Sequence, residues 1–333
     1  MSEYTYKNSG VDIDKADMIV GEIKKEVGEN IGMFGGIFEL KYILKEYKNP
    51  VLVSSTDGVG SKLELLSQYN KFESAAVDLV AMNLNDIVCL GAKPLFFMDY
   101  IGVDSLNVNK ITGFIKNLNA VLNKYDCKLV GGELAELPLI FKKDKVDVAG
   151  FVVGVAEKEE LLSKNNVKKG DILIAIKSTG PHSNGYSLIN KLLNDKKLKF
   201  SEKLIEPTKI IVNQTLKIKH LIKAASHITG GGIPENLNRI IPEGLKAKVK
   251  YSVEMPEVFK SIMDCKVALK EMFKTFNMGY AAIYIVDKNN VDRVLNILKE
   301  MGEEPFVTGK IVSFDEKSEF TLKSSDNRVE LVI

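Results

Sequence analysis

Apolar residues along the chain follow two spacings, and the switch between them maps the elements. Mainly apolar runs at 50–53, 95–101, 171–177 and 280–286 predict buried strands. Further strands are predicted at 127–130, 146–156 and 306–311, with another just before Gly230. Between them apolar positions recur at helical spacing, as at Val77, Val80, Leu84, Ile87 and Val88 within a predicted helix over 75–90. Further helices are predicted over 18–27, 109–124, 188–193 and 291–301. The order strand, helix, strand, helix, strand, strand predicts an α+β (mixed α/β) fold. The charged, pattern-poor stretch 157–170 is the best boundary. It divides the chain into a glycine-containing segment (1–49), an α/β sheet domain (50–165) and an α+β domain (166–333).

Composition narrows the class. A chain of 333 residues is long for one core, and 45% apolar with 27% charged residues is ordinary for a globular protein. With 46 basic and 44 acidic side chains, the net charge of +2 argues against nucleic-acid or membrane partners. The first residues, Met1-Ser2-Glu3-Tyr4-Thr5-Tyr6-Lys7, lack an apolar leader, and no apolar run is long enough to cross a bilayer, so the cytoplasm is the expected location. Cys89, Cys127 and Cys265 are widely separated, which suits reduced thiols rather than a disulfide framework.

Candidate chemistry gathers where predicted strands end. The run Ser54-Ser55-Thr56-Asp57-Gly58-Val59-Gly60-Ser61-Lys62 leaves the first strand. A strand ending in Asp-Gly is also the pattern of a plain turn. As a site, Gly58 and Gly60 let a ligand approach backbone N–H groups, Ser61 supplies a hydroxyl, Lys62 can pair with phosphate, and Asp57 can hold a magnesium ion. Asp86 lies on an otherwise apolar helix and needs a partner, while Gly131-Gly132-Glu133 sets a carboxylate at another expected strand end. Asp78 is about 12 Å from Asp86 along the helix, too far to share its ion. Asp57, Asp86 and Glu133 thus form an oxygen-rich set that selects magnesium, which usually arrives with polyphosphate.

Standard phosphate and zinc signatures are missing, and three histidines are too few to favour an imidazole metal site. Gly35 and Gly36 belong to a glycine segment that reads equally as a mobile lead to a site or as an ordinary loop. In the second half, His182-Ser183-Asn184-Gly185 and His227-Ile228-Thr229-Gly230-Gly231 each place a histidine before a predicted helix start. Helix N-termini bind anions, so Asn184, Gly185, Gly230 and Gly231 are candidate nucleotide contacts. His182 and His227 are candidates for proton transfer or phosphate contact, with simple loop capping as the alternative.

Eight ordered blocks carry a resemblance. They are Thr56-Asp57-Gly58-Val59-Gly60-Ser61-Lys62, Asn85-Asp86, Gly91-Ala92-Lys93-Pro94-Leu95-Phe96-Phe97, Gly131-Gly132-Glu133, His182-Ser183-Asn184-Gly185-Tyr186-Ser187, Glu206-Pro207-Thr208, His227-Ile228-Thr229-Gly230-Gly231-Gly232 and Thr275-Phe276-Asn277-Met278-Gly279. From about Ser9 to Gly309 the chain resembles the phosphoribosylformylglycinamidine cyclo-ligases, the aminoimidazole ribonucleotide synthetases of purine biosynthesis. The resemblance implies a homodimer paired through the N-terminal sheets. It also implies ATP with Mg2+, and ring closure of formylglycinamidine ribonucleotide through a phosphorylated amide oxygen, releasing ADP and phosphate. Ser61 stands where the family usually has Thr, Met33 interrupts its glycine run, and Leu134 and Leu139 replace a Thr and a Gly. Selenophosphate synthetases and thiamin-monophosphate kinases are the rivals within the superfamily, and a catalytically silent nucleotide-binding subunit is the rival outside catalysis.

Overall fold

The computed structural model describes residues 7–28, 35–251, 254–315, 320–323 and 328–332. The chain is mixed α/β and divides into two compact units, one of residues 1–87 and 93–157, the other of 88–92 and 158–333.

In the first unit, helix α1 (Ile13–Val27) is capped by Asp12, whose side chain accepts from the Lys15 N–H. Helix α2 (Ile43–Glu46) precedes strand β1 (Pro50–Gly58), and helix α3 (Lys62–Gln68) leads to helix α4 (Ala75–Val88). Strand β2 (Lys93–Val103), helix α5 (Val108–Asn123), strand β3 (Lys128–Glu136) and strand β4 (Val146–Glu157) follow. The sheet runs β1-β4-β2-β3, with β2 and β3 parallel and the other pairs antiparallel. One face carries Val148, Val152, Phe97 and Ile101, all buried. The other bears Leu52, Ser54 and Thr56 beside Phe151, all exposed. Near Val155, Phe38 and Tyr47 cover that second face.

The glycine pair at 131–132 does not end a strand as expected: β3 continues to Glu136, paired with β2 throughout.

In the second unit, strand β5 (Ile172–Lys177), helix α6 (Tyr186–Asn194), helix α7 (Val212–Ile218), strand β6 (Ile222–His227) and helix α8 (Gly232–Asn238) come first. Strand β7 (Leu245–Tyr251), helices α9 (Glu257–Asp264) and α10 (Leu269–Thr275), and strand β8 (Tyr280–Val286) come next. Helix α11 (Val291–Glu300) and strands β9 (Phe306–Ser313), β10 (Phe320–Lys323) and β11 (Arg328–Val332) complete it. The sheet order is β10-β11-β7-β9-β5-β8-β6. Every residue of β8 is buried, as its unbroken apolar run requires.

No disulfide forms, and burial pushes the Cys127 thiol up to about 12. Among the described residues no helix is long and apolar enough to cross a membrane.

Candidate functional site

Asp57 sits at the end of β1, half-buried, in register with Gly150 of β4. Its carboxylate Oδ1 accepts from the Gly58 N–H at 2.7 Å. The Asp57 N–H donates to Asn83 Oδ1 at 3.0 Å and the Asp57 carbonyl accepts from Asn83 Nδ2 at 3.1 Å. Gly60 follows with φ +66° and open space where a side chain would stand, so backbone is presented bare at this turn. Ser61 occupies the N-cap position of α3 without a side-chain capping bond.

Two expectations are corrected here. Lys62 does not project into the loop: its Nζ lies 2.8 Å from Asp78 Oδ1, and both side chains are fully buried. The first turn of α3 points the stem inward, where only a counter-ion makes a buried ammonium tolerable.

Nor do Asp57, Asp86 and Glu133 converge. Among the described residues no three acidic, histidine or cysteine side chains are grouped to hold a metal. The register explains it, because Asp57, Gly150, Asp99 and Gly132 form one row across the sheet. Three inter-strand steps of about 4.8 Å put the β3 end of that row roughly 14 Å from Asp57. Glu133 is one residue further on, paired with Tyr100, so strand alternation turns it to the opposite face, where it is exposed.

Asp86 lies on the helix that binds the Asp57 backbone. It is half-buried on α4, three residues beyond Asn83 and on the same helix face. Gly36 lies against Val130, at 2.6 Å from the Val130 carbonyl to a hypothetical Cβ, while Gly35 has nothing near it. Met33 falls outside the described residues. Leu139 is almost wholly exposed.

Leu134 lines an apolar cavity of about 100 Å³ with Val20, Ile23, Ile101, Ile111 and Ile115. Asp99 opens into the same cavity, and burial pushes its carboxyl up to about 7.

The second unit draws its candidates together at one sheet edge. Strands β5 and β6 both pair antiparallel with β8, so both end beside the start of β8. Three loops therefore meet: 178–185 after β5, 228–231 after β6 and 276–279 before β8. The rings of His182 and His227 lie 6.4 Å apart, centroid to centroid, both buried. His182 Nε2 accepts from the N–H groups of Thr179 and Lys209 at 3.4 and 3.5 Å. An accepting Nε2 leaves the proton of a neutral ring on Nδ1.

Asn184 approaches Gly230, joining the first two loops. Gly185, with φ +79°, caps α6 at a point where a Cβ would stand 2.2 Å from the Phe276 ring, so packing as well as conformation demands glycine. Gly231 caps α8 with φ +89°.

Besides Asn184 and His182, these loops are held by side chains to which sequence reasoning gave no role. Asn236 donates from Nδ2 to the carbonyls of Gly230 and Gly232 at 3.0 and 2.8 Å. Asn277 donates to the Gly180 carbonyl at 2.9 Å and accepts from the Gly279 N–H at 2.8 Å. The Glu206-Pro207-Thr208 block docks through Thr179 Oγ1 on the Pro207 carbonyl at 2.6 Å and through a Ser183–Thr208 hydroxyl contact at 3.0 Å. Their signal was the recurrence of buried-type Asn beside glycine loops.

The two halves match the N-terminal domain of AIR synthase related proteins over residues 41–156 and the C-terminal domain over 168–320. The phosphoribosylformylglycinamidine cyclo-ligase of Thermodesulfovibrio yellowstonii is 43% identical, with 92% of this chain and 96% of the relative covered. That of Pseudothermotoga lettingae is 42% identical, with 93% and 97% covered. The chain belongs to the phosphoribosylformylglycinamidine cyclo-ligase family. It is a ligase of that kind.

Among solved structures, E. coli HypE, a hydrogenase maturation protein, superposes with a TM-score of 0.68 at 12% identity over 90% of this chain and 92% of its own. HypE in complex with ATP gives 0.57 at 15% identity over 80% and 78%. T. maritima PurL complexed with ATP gives 0.54 at 15% identity over 84% of this chain and 42% of its own. Likeness at these identities is one of fold.

Proposed function

We propose that the protein closes the imidazole ring of purine biosynthesis, converting formylglycinamidine ribonucleotide and ATP to aminoimidazole ribonucleotide, ADP and phosphate. What carries this reading is the likeness to named cyclo-ligases along nearly the full length of both partners. Two of the solved neighbours in this fold hold ATP, which supports ATP as co-substrate here.

An amide oxygen is a poor leaving group. Transfer of the γ-phosphoryl group to the formyl oxygen converts it to a phosphate ester, the substrate nitrogen then bonds to that carbon, and the C–O bond breaks with release of phosphate. The protein contributes placement and charge stabilisation. The bare backbone at Gly60, the Ser61 hydroxyl and the Gly35–Gly36 segment receive the triphosphate. On the second unit, Asn184, Gly185, Gly230 and Gly231 are candidate anion contacts. His182 and His227 bind the substrate phosphate or move the proton released in ring closure.

Magnesium keeps several waters and is commonly bound by one or two carboxylates together with phosphate oxygens. The half-buried pair Asp57 and Asp86 fits that need without Glu133. Bound there, the ion would neutralise the phosphate oxygens. The exposed face bearing Leu52, Thr56 and Phe151 supports pairing with a second copy, and Glu133 lies on that same face. The working location is the cytoplasm.

The phosphorylated oxygen is tested with substrate carrying heavy oxygen in its formyl group. Recovery of the label in inorganic phosphate is expected, and label left in water or in the ribonucleotide product contradicts the mechanism.

A further inference from the structure

Helix α4 is apolar and buried along almost its whole length, with Leu79, Val80, Ala81, Leu84 and Val88 fully covered. Asn83 sits among them with no exposure at all. An amide buried in such a setting costs several kcal/mol unless its hydrogen bonds are made, and here they are made in one specific place. Oδ1 accepts from the Asp57 N–H at 3.0 Å. Nδ2 donates to the Asp57 carbonyl at 3.1 Å and to the Leu79 carbonyl, one turn back, at 2.9 Å. One acceptor and both donors are used, and a flipped amide would place N–H against N–H.

The location gives the bonds their meaning. Among the described residues strand β1 stands at the edge of its sheet, and Asp57 is where its backbone is tied to α4. The Asn83 amide meets both backbone polar groups of Asp57, as a paired strand residue would. The sheet leaves room for it: a Cβ at Gly150, in register with Asp57, would stand 2.7 Å from Asn83 Nδ2 and 2.2 Å from the Phe97 ring. Asp86 lies three residues along α4 on the same face.

We infer that Asn83 is a positioning residue for the cation site, locking the Asp57 backbone onto α4 and thereby setting the spacing between the Asp57 and Asp86 carboxylates. The inference rests on the proposal that these two groups take the magnesium of the ATP complex. Asn83 touches neither metal nor nucleotide; it acts through Asp57.

Asn83→Ala and Asn83→Ser are compared with the unaltered protein, using Mn2+ as the probe with a non-hydrolysable ATP analogue and water-proton relaxation to read binding. Removing a residue that orients a metal ligand typically weakens the metal by about 10–100-fold. The expected result is a loss of that size in Mn2+ affinity and a matching rise in the magnesium needed for half-maximal turnover. KM for the ribonucleotide should stay within about twofold, and raised magnesium should restore turnover. A defect of folding alone would not respond to magnesium.

Folded variants that bind Mn2+ as the unaltered protein does overturn this inference and leave the functional reading standing. An unaltered protein that binds no Mn2+ with the analogue overturns both. Should neither variant fold, the exchange rate of the Asp57 amide proton in the unaltered protein decides: slow exchange supports the bond to Asn83, and fast exchange contradicts it.

Discussion

The ammonium of Lys62 lies 2.8 Å from the carboxylate of Asp78, and neither side chain has any exposure to solvent. The pair joins the first turn of α3 to the first turn of α4, the helix that also carries Asn83 and Asp86. Breaking a buried pair leaves one charge uncompensated, at a cost of about 3–5 kcal/mol, whereas replacing both partners with apolar groups is often neutral. Lys62→Ala should therefore lower the free energy of unfolding in urea by about that amount, and Lys62→Met combined with Asp78→Leu should recover most of it. A single variant as stable as the unaltered protein contradicts the assignment.

Asp57 is expected to matter for chemistry rather than for folding, because its carboxylate is half-buried while its backbone does the structural work. Asp57→Asn keeps the shape and should lower kcat by at least about 100-fold, the scale on which single electrostatic contributors act. Circular dichroism and thermal unfolding should be unchanged. Normal steady-state rates at saturating magnesium remove Asp57 from the site.

Asp99 should make stability depend on pH. Burial raises its folded pKa from the model-peptide value of 3.8 to about 7, so the folded state holds a proton that the unfolded chain releases. The sign follows: the contribution is full below pH 4 and is lost as pH rises to about 7, a span worth roughly 4 kcal/mol. Asp99→Asn should flatten the urea-unfolding stability between about pH 4 and 7 and gain most above pH 7. An unaltered slope in the variant places the titration elsewhere.

The two buried histidines are tested separately. His182 Nε2 receives backbone N–H groups, so His182→Ala should cost stability as well as rate. His227→Ala should depress turnover by about 100-fold, within the range of a single proton-transfer group, with little change in melting temperature. A His227→Ala enzyme with full kcat and KM returns the residue to a structural role.

The exposed sheet face offers a test of assembly. Leu52→Asp places a charge on the surface proposed to meet a second copy. Sedimentation should then show a monomer where the unaltered protein shows a dimer, and a variant that remains dimeric locates the interface elsewhere.

Much of the fold was legible in the chain. The apolar runs at β2, β5 and β8 and the helical spacing of α4 place those elements within a few residues. Strand β7 was missed even though Leu245, Ala247, Val249 and Tyr251 alternate with three lysines, the spacing of a half-covered strand. Glu133 was misplaced because a glycine pair reads as a stop, while β2 supplies a partner that lets β3 continue. The face a side chain takes depends on register, which no local pattern states. Lys62 illustrates the same limit: its motif suggests phosphate, and its counter-ion lies 16 residues away on another helix. The meeting of His182 and His227 follows from β5 and β6 flanking β8, a pairing set by the tertiary sheet.

Release of ADP by the purified protein, measured with ATP and magnesium in the presence and absence of formylglycinamidine ribonucleotide, bears most directly on the proposed activity. Release that requires the ribonucleotide and matches aminoimidazole ribonucleotide formation one for one is the predicted result. ATP turnover indifferent to that substrate, or no turnover with it, contradicts the account.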